Sequence, residues 1–193
     1  MKPTLAFDYD GVIANTNRLK SQWIAEYLGR DVAPGLCDRT RCVPIIGLDT
    51  YNLMSNEVYG REASLRAQPM PGAVEGIQAL SQKHRLAIIT ARDEERLQWT
   101  REWLQNRDLA RFFSVVRSSV GTSKPEIVTE LGALSLVDDD PRHLRGAPEA
   151  PFARLLFAQG AHPDGIEPEI TVVSDWPALV AALEGLSPST SIV

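Results

Sequence analysis

The sequence predicts an α/β fold in which a doubly wound parallel sheet carries a small helical insertion after its first strand. Short apolar runs alternate with amphipathic stretches of about 10–15 residues, a pattern typical of βαβ units and a parallel sheet. Acidic or hydroxyl side chains directly follow several of these runs, and one polar segment near the start interrupts the alternation. With 193 residues, the chain is long enough for one domain with a small insertion.

Five strands and five helices are predicted for the main body of the chain. The apolar runs predict strands at residues 5–7, 86–89, 112–116, 134–137 and 153–158. The helical stretches lie at residues 72–84, 94–107, 123–132, 141–147 and 175–185.

Residues 16–71 break the alternation and are predicted to form a helical cap, with helices at 17–28 and 50–58 and no clear strand. We therefore assign residues 1–15 and 72–185 to a catalytic core. The Ser-rich end at 186–193 is predicted to be a disordered tail.

Charge and hydropathy exclude several classes of protein. The net charge is −5, and no block of Lys or Arg occurs, so we expect no surface for a nucleic-acid polymer. No apolar run approaches the ~18 residues of a membrane span, and the start resembles no secretory signal. We therefore expect a cytoplasmic protein without a membrane partner. Nothing in the sequence bears on its oligomeric state.

Two aspartates follow the first predicted strand. Alternation in an extended chain puts Asp8 and Asp10 on the same side, and Gly11 allows a sharp turn after them. Two carboxylates at one sheet end repel each other unless a cation joins them or one takes a proton. The alternative is a turn that caps a helix, since Asp and Gly are common turn residues.

Three aspartates follow the fourth predicted strand. Pro141 suits a first helical position, which makes Asp140 a natural N-cap. Asp138 and Asp139 have no such local role, and opposite the first acid pair they predict a site for a hard cation such as Mg²⁺. The alternative is an acidic loop in solvent.

Further polar residues lie at strand and helix ends. Thr90 follows a strand, where its hydroxyl could hold a phosphate oxygen or cap a turn, and Arg92 could bind substrate or be exposed. Ser123 and Glu126 form a predicted capping box, which places Lys124 in the first turn of a helix. A cation opposes the helix dipole there, so a nearby anion is expected, although a surface lysine is the simpler reading.

Taken together, these residues resemble the four motifs of the haloacid dehalogenase superfamily of phosphatases. The matching stretches are Phe7-Asp8-Tyr9-Asp10-Gly11-Val12, Ile89-Thr90, Lys124-Pro125 and Val137-Asp138-Asp139. A weaker resemblance, to the 5′(3′)-deoxyribonucleotidase-like branch, rests on Ile89-Thr90-Ala91-Arg92 and Thr100-Arg101-Glu102-Trp103-Leu104. The departures from that branch are Asn15, where it often carries an acid, and the cap pattern.

The resemblance implies a Rossmann-like core and an Mg²⁺-dependent phosphatase of a small phosphorylated substrate. Asp8 would form an aspartyl-phosphate, and Asp10 would protonate the leaving oxygen and then activate water. Thr90 and Lys124 would bind the phosphoryl group. The implied metal ligands are Asp8, the carbonyl of Asp10, Asp139 and Asp138.

The cap is expected to read the leaving group, with a nucleoside monophosphate as the expected substrate. Its aromatic and cationic residues are suited to stacking bases or binding anions; they are Trp23, Tyr27, Tyr51 and Tyr59 with Arg18, Lys20, Arg30, Arg39 and Arg41. The aromatic residues could equally form the cap's own core.

Three alternatives remain open to different degrees. A sugar-phosphate phosphatase or a phosphomutase of the same superfamily would keep every motif. A dehalogenase does not need the second acid, so Asp10 argues against it. A phospho-receiver domain shares the sheet and similar residues, but there the acid pair comes first and the acceptor Asp later, the reverse of the order seen here.

Overall fold

The structure, a computed structural model, describes residues 2–146, 150–160 and 165–186. These residues form six strands and eight α-helices. The strands are β1 Thr4–Phe7, β2 Arg85–Thr90, β3 Phe113–Ser118, β4 Ala133–Asp138, β5 Ala153–Phe157 and β6 Ile170–Val173. The helices are α1 Thr16–Leu28, α2 Arg39–Ile46, α3 Leu48–Val58, α4 Arg61–Arg66, α5 Ala73–Lys83, α6 Glu94–Gln105, α7 Lys124–Glu130 and α8 Trp176–Glu184.

The six strands form one parallel sheet in the order β3-β2-β1-β4-β5-β6. The chain moves outward from β1 through β2 to β3, then returns to place β4 on the other side of β1. Ligands bind at such a reversal, beyond the carboxyl ends of the strands. The predicted α/β fold with a helical cap after the first strand is confirmed, and it directs attention to the ends of β1 and β4.

The sheet is stabilised by apolar clusters on both faces, because alternate residues of its buried strands point to opposite sides. Leu5 and Phe7 of β1 belong to the cluster beneath α5, α6 and α8, whereas Ala6 belongs to the cluster beneath α7. The Phe7 ring stacks on Trp176 with 5.8 Å between centroids. Trp176 also donates from Nε1 to the carbonyl of Val12 at 2.8 Å, which anchors the turn after β1.

The cap segment, residues 16–71, contains α1 to α4 and a 3₁₀ turn at Pro34–Leu36. It has an apolar cluster of its own, in which Ile24 and Met54 are fully buried and Trp23 is nearly so. Trp23 is therefore part of the core of the cap segment. No helix among the described residues is long and apolar enough to cross a bilayer. The cytoplasmic location remains a prediction.

Three local predictions differ from the structure. The cap segment contains two helices, α2 and α4, that were not predicted. The helix predicted at 141–147 is wrong for its described residues, which form a 3₁₀ turn at Pro141–His143 followed by a further turn. Asp140 accepts from the backbone N–H of Arg142, and Gly146 adopts φ +72°, so the turn is capped and ends at once. The edge strand β6 was not predicted; its four residues are only partly buried, whereas the four residues of β1 are all buried. Most of the predicted tail, residues 187–193, lies outside the described residues.

Candidate active site

The carboxyl ends of the three central strands bring the predicted polar residues together. Asp8 and Asp10 follow β1, Thr90 ends β2, Asp138 ends β4 and Asp139 comes next. All five side chains are at most 9% exposed. Except for Asp138, which lies just behind, they line one cavity of about 520 Å³ between the sheet and the cap segment.

Lys124 joins the acids of the two strands. Its Nζ lies 2.9 Å from Oδ1 of Asp8 and 2.6 Å from Oδ2 of Asp138. Burial lowers the pKa of this ammonium, but Asp138 and Asp8 outweigh burial and hold the pKa above its usual value. Asp138 also accepts from Nδ1 of His143 at 3.0 Å and from the backbone N–H of Asp140 at 3.0 Å. Lys124 and His143 hold the pKa of Asp138 well below normal, despite its burial. Lys124 and His143 thus favour the carboxylate form of Asp138.

The negative charges of Asp8 and Asp139 are less well compensated by neighbouring cations than the charge of Asp138. Burial raises the pKa of Asp8 to about 7, with Lys124 opposing the rise and Asp138 and Asp10 adding to it. Burial, followed by repulsion from Asp8, holds the pKa of Asp139 well above normal, although Lys20 opposes the rise. The hydrogen-bond donor to Asp139 is neutral, the Nδ2 of Asn17 in α1 at 2.6 Å from Oδ2. The cluster therefore contains more negative charge than its own cations neutralise.

This donor set fits a hard divalent cation. Asp8, Asp138 and Asp139 each offer one carboxylate oxygen, and these three oxygens lie within 4.8 Å of one another. Gly11 makes room for them, because a Cβ at its φ of +78° would collide with Oδ2 of Asp139. Oxygen ligands with few carboxylates are what Mg²⁺ requires.

Asp10 belongs to a second ion pair that connects the core to the cap segment. Arg92 binds both of its oxygens, with Nε and Nη2 each donating at 2.8 Å. The third contact of the guanidinium, from Nη1, goes to Oγ of Ser64 in α4 at 2.8 Å. Arg92 is 3% exposed and lies over the ring of Tyr9 at 4.9 Å. Arg92, predicted to bind substrate, lines the cavity with three of its donors already engaged.

Thr90 and Asp140 complete the edge of the cavity. Oγ1 of Thr90 accepts from the backbone N–H of Arg92 at 3.3 Å, which leaves its hydroxyl hydrogen available to a ligand. Asp140 caps the following turn as predicted, and Arg142 binds its carboxylate with Nη2 at 2.7 Å. Thr40 of α2 donates to Oδ1 of Asp140 at 3.0 Å, a further link between the cap segment and the core.

Of the aromatic and cationic cap residues that were predicted to contact the leaving group, only some line the cavity. The residues that line it are Lys20, Arg39, Tyr51 and Tyr59, and those that lie elsewhere are Trp23, Tyr27, Arg18, Arg30 and Arg41. The sequence reading missed the polar stripe of α3, where Asn52, Ser55 and Asn56 face the cavity at helical spacing.

Three further residues contact or line the site, and the sequence analysis either missed them or gave them no specific role. Asn17 and Lys20 share a helical face with the buried Ile24, so a lysine on the buried stripe of α1 was the available signal. His143 lies five residues after Asp138, and no local pattern identifies its contact with that carboxylate.

No protein-family model matches this chain, and no curated protein matches it in sequence. Solved structures do match it in fold. A candidate phosphoglycolate phosphatase from Lactobacillus plantarum is 16% identical, with a TM-score of 0.65 over 94% of this chain and 99% of that one. A haloacid dehalogenase-like hydrolase from Bacillus subtilis, described as bound to magnesium, is 18% identical, with a TM-score of 0.62 over 95% of this chain and 99% of that one.

The L-2-haloacid dehalogenase from Xanthobacter autotrophicus is 16% identical, with a TM-score of 0.56 over 97% of this chain and 100% of that one. The chain thus has the fold of the haloacid dehalogenase superfamily, and the resemblance found in the sequence is confirmed at the level of the fold. Since both phosphatases and dehalogenases have this fold, the fold alone does not determine the function, which depends on the residues of the site.

We expect Arg92→Met to lower the free energy of unfolding by about 3–5 kcal/mol, because it leaves the buried Asp10 carboxylate unpaired. Arg61→Met is the matched control. Its pair with Glu102 also joins the cap segment to the core, but the Arg61 side chain is 59% exposed, so the loss should stay below about 1 kcal/mol. Urea unfolding of both variants measures the difference. Equal losses would contradict the stabilising role of the Asp10–Arg92 pair.

Proposed function

We propose that this protein is an Mg²⁺-dependent phosphate monoester hydrolase that works through an aspartyl-phosphate on Asp8. The observation that carries the proposal is the buried cluster of Asp8, Asp138 and Asp139, in which Lys124 pairs with Asp8 and Asp138 and Asp10 lines the same cavity as Asp8 and Asp139. Phosphoryl transfer requires a nucleophile, charge neutralisation and donors for the equatorial oxygens, and this cluster can supply each of them.

Asp8 is the proposed nucleophile. A carboxylate oxygen of Asp8 attacks phosphorus, the bond from phosphorus to the leaving oxygen breaks, and an acyl phosphate remains on Asp8. Lys124 is 2.9 Å from Oδ1 of Asp8, where its charge offsets the repulsion between two anions as they approach. The Thr90 hydroxyl can donate to one phosphoryl oxygen.

Asp10 is the proposed acid and base. After it has taken up a proton, it gives this proton to the leaving oxygen, and as the carboxylate that Arg92 binds it then takes a proton from the water that hydrolyses the acyl phosphate. Arg92 holds both oxygens of Asp10 at 2.8 Å, so it orients the group and stabilises the carboxylate formed after the first transfer. Each oxygen keeps a second lone pair for the proton.

The donor set proposed for Mg²⁺ is Asp8, Asp138, Asp139 and the carbonyl of Asp10. When bound there, the ion supplies positive charge that favours an anionic nucleophile beside an anionic phosphate. Asn17 orients Asp139 through its 2.6 Å hydrogen bond, so the cap segment takes part in shaping this donor set.

We expect Asp8→Asn to lower the turnover of p-nitrophenyl phosphate by at least about a thousandfold, because the amide is a far weaker nucleophile than the carboxylate. The measurement is release of inorganic phosphate with Mg²⁺ present. Asp175→Asn is the matched control, since Asp175 caps α8 away from the cavity and Asn caps nearly as well.

Turnover by Asp8→Asn at the wild-type rate would disprove the mechanism. Transfer of the phosphoryl group to a second hydroxyl of a sugar phosphate, without release of phosphate, would identify a phosphomutase instead.

Asp139→Ala should weaken Mg²⁺ binding by more than about tenfold, whereas Asp140→Ala should leave it nearly intact. Asp139 belongs to the carboxylate cluster, while Asp140 caps a turn and pairs with Arg142. Loss of that cap should lower stability by about 0.5–2 kcal/mol. Calorimetric titration with Mg²⁺ and thermal unfolding of each variant separate the two roles. Equal Mg²⁺ affinities would show that the assignment is wrong.

A further inference from the structure

Lys20 is a buried cation of the cap segment without a carboxylate partner. It is 3% exposed and lines the cavity, where Asn17 separates it from Asp139 of the acid cluster. The other buried lysine and arginines of the described chain, Lys124, Arg92 and Arg154, each form ion pairs. Among the described residues, no carboxylate lies within ion-pair distance of Lys20, and the carboxylate that acts on it at longer range, Asp139, belongs to the acid cluster. A buried charge without a counter-charge is unfavourable, and a bound anion would remove that cost.

The contacts of Lys20 hold its ammonium in place without neutralising it. Its Nζ donates to Oδ1 of Asn17 at 3.1 Å, to the carbonyl of Cys37 at 3.2 Å and, weakly, to the hydroxyl of Tyr51 at 3.5 Å. It also lies over the rings of Tyr51 and Tyr59, at 5.6 and 5.2 Å. Burial lowers its pKa, but Tyr59, Tyr51 and the more distant Asp139 outweigh burial and hold the pKa well above normal.

The wall beside Lys20 offers uncharged hydrogen-bonding groups. Asn52, Ser55 and Asn56 of α3 line the cavity, and the Oγ of Ser55 is buried without a hydrogen-bond partner. Tyr9, Thr16, Thr100 and Ser135 also have unsatisfied buried hydroxyls, but of the five only Ser55 lines the cavity, where a ligand is one of the explanations for it. Ser55 is independent of Lys20 in this respect, and both indicate a polar leaving group.

Aromatic stacking is poorly supported at this wall. The aromatic residues that line the cavity among the described residues are Tyr51 and Tyr59. Lys20 and Arg39 lie over the ring of Tyr51, and Lys20 and Arg92 lie over that of Tyr59. Because both rings already interact with cations, they are poorly suited to stack on a nucleobase as well.

We infer that the substrate is a small, non-aromatic phosphate monoester whose leaving group carries a second anionic group, and that Lys20 recognises this group. The inference rests on the proposed phosphatase activity and specifies its substrate class. A carboxylate and a second phosphate share the required chemistry, since either accepts a charge-assisted hydrogen bond from an ammonium.

Matched substrates test the inference. Phosphoglycerate and glycerol phosphate differ by a carboxylate in place of a hydroxymethyl group, and a hexose bisphosphate and its monophosphate differ by the second phosphate. For the wild-type protein, kcat/KM should be at least about tenfold higher for the more anionic member of one pair. The pair that shows the preference identifies the anion. Adenosine monophosphate should be a poorer substrate than that member.

Variants then assign the preference to Lys20. Lys20→Met should reduce the kcat/KM ratio of that pair by at least about tenfold, while Lys20→Arg should retain most of it. Arg18→Met is the matched control, because it removes the same charge from an exposed position on the same helix and outside the cavity. The ratio of the control should equal that of the wild type. Lys20→Gln replaces Lys20→Met if the latter does not fold.

The possible results of these assays separate the substrate class, the role of Lys20 and the proposed function. A wild-type ratio near one for both pairs, or faster turnover of adenosine monophosphate, overturns the inference while the phosphatase function stands. A wild-type preference that survives in Lys20→Met overturns the role of Lys20. Absence of phosphate release from every ester, p-nitrophenyl phosphate included, overturns the proposed function, and calorimetric binding of the same pairs then still tests Lys20.

Discussion

The burial of four carboxylates at one edge of the sheet is the constraint on which the rest of this structure depends. Asp8, Asp10, Asp138 and Asp139 are each at most 9% exposed, and like charges at this distance oppose folding unless they are compensated. Lys124 compensates the charges of Asp8 on β1 and Asp138 on β4, and Arg92 compensates the charge of Asp10. Asp139 receives only a neutral amide. The remaining negative charge is what makes the cluster suitable for a divalent cation.

The topology of the sheet creates this crowding. The chain leaves β1 in one direction and returns on its other side as β4, so the residues after both strands face the same crevice. Gly11 permits the close approach, since any larger residue would displace the Asp139 carboxylate. Lys124 then enters from the start of α7, whose capping box fixes its direction. The tight turn at Gly11 and the capped start of α7 therefore bring the charged side chains close together.

The cap segment is connected to the core through the same charged groups. Asn17 donates to Asp139, Thr40 donates to Asp140, and Ser64 accepts from Arg92. A change in the charge of the cluster therefore alters the contacts that hold the cap segment over the cavity. Lys20 lines the same cavity and contacts Asn17, the donor to Asp139. In the proposed function, specificity and chemistry would therefore depend on one balance of charges, shared by two parts of the chain.

The sequence by itself determined the alternation of strands and helices, the helical interruption, and the positions of Asp8, Thr90 and Lys124 at element ends. These features depend on periodicity and on turn residues, which act over a few positions along the chain. The tertiary structure alone decided the pairing of Arg92 with Asp10, 82 residues away, and of Asn17 with Asp139, 122 residues away. Such contacts depend on how the cap segment packs against the sheet edge, and no local pattern encodes that packing.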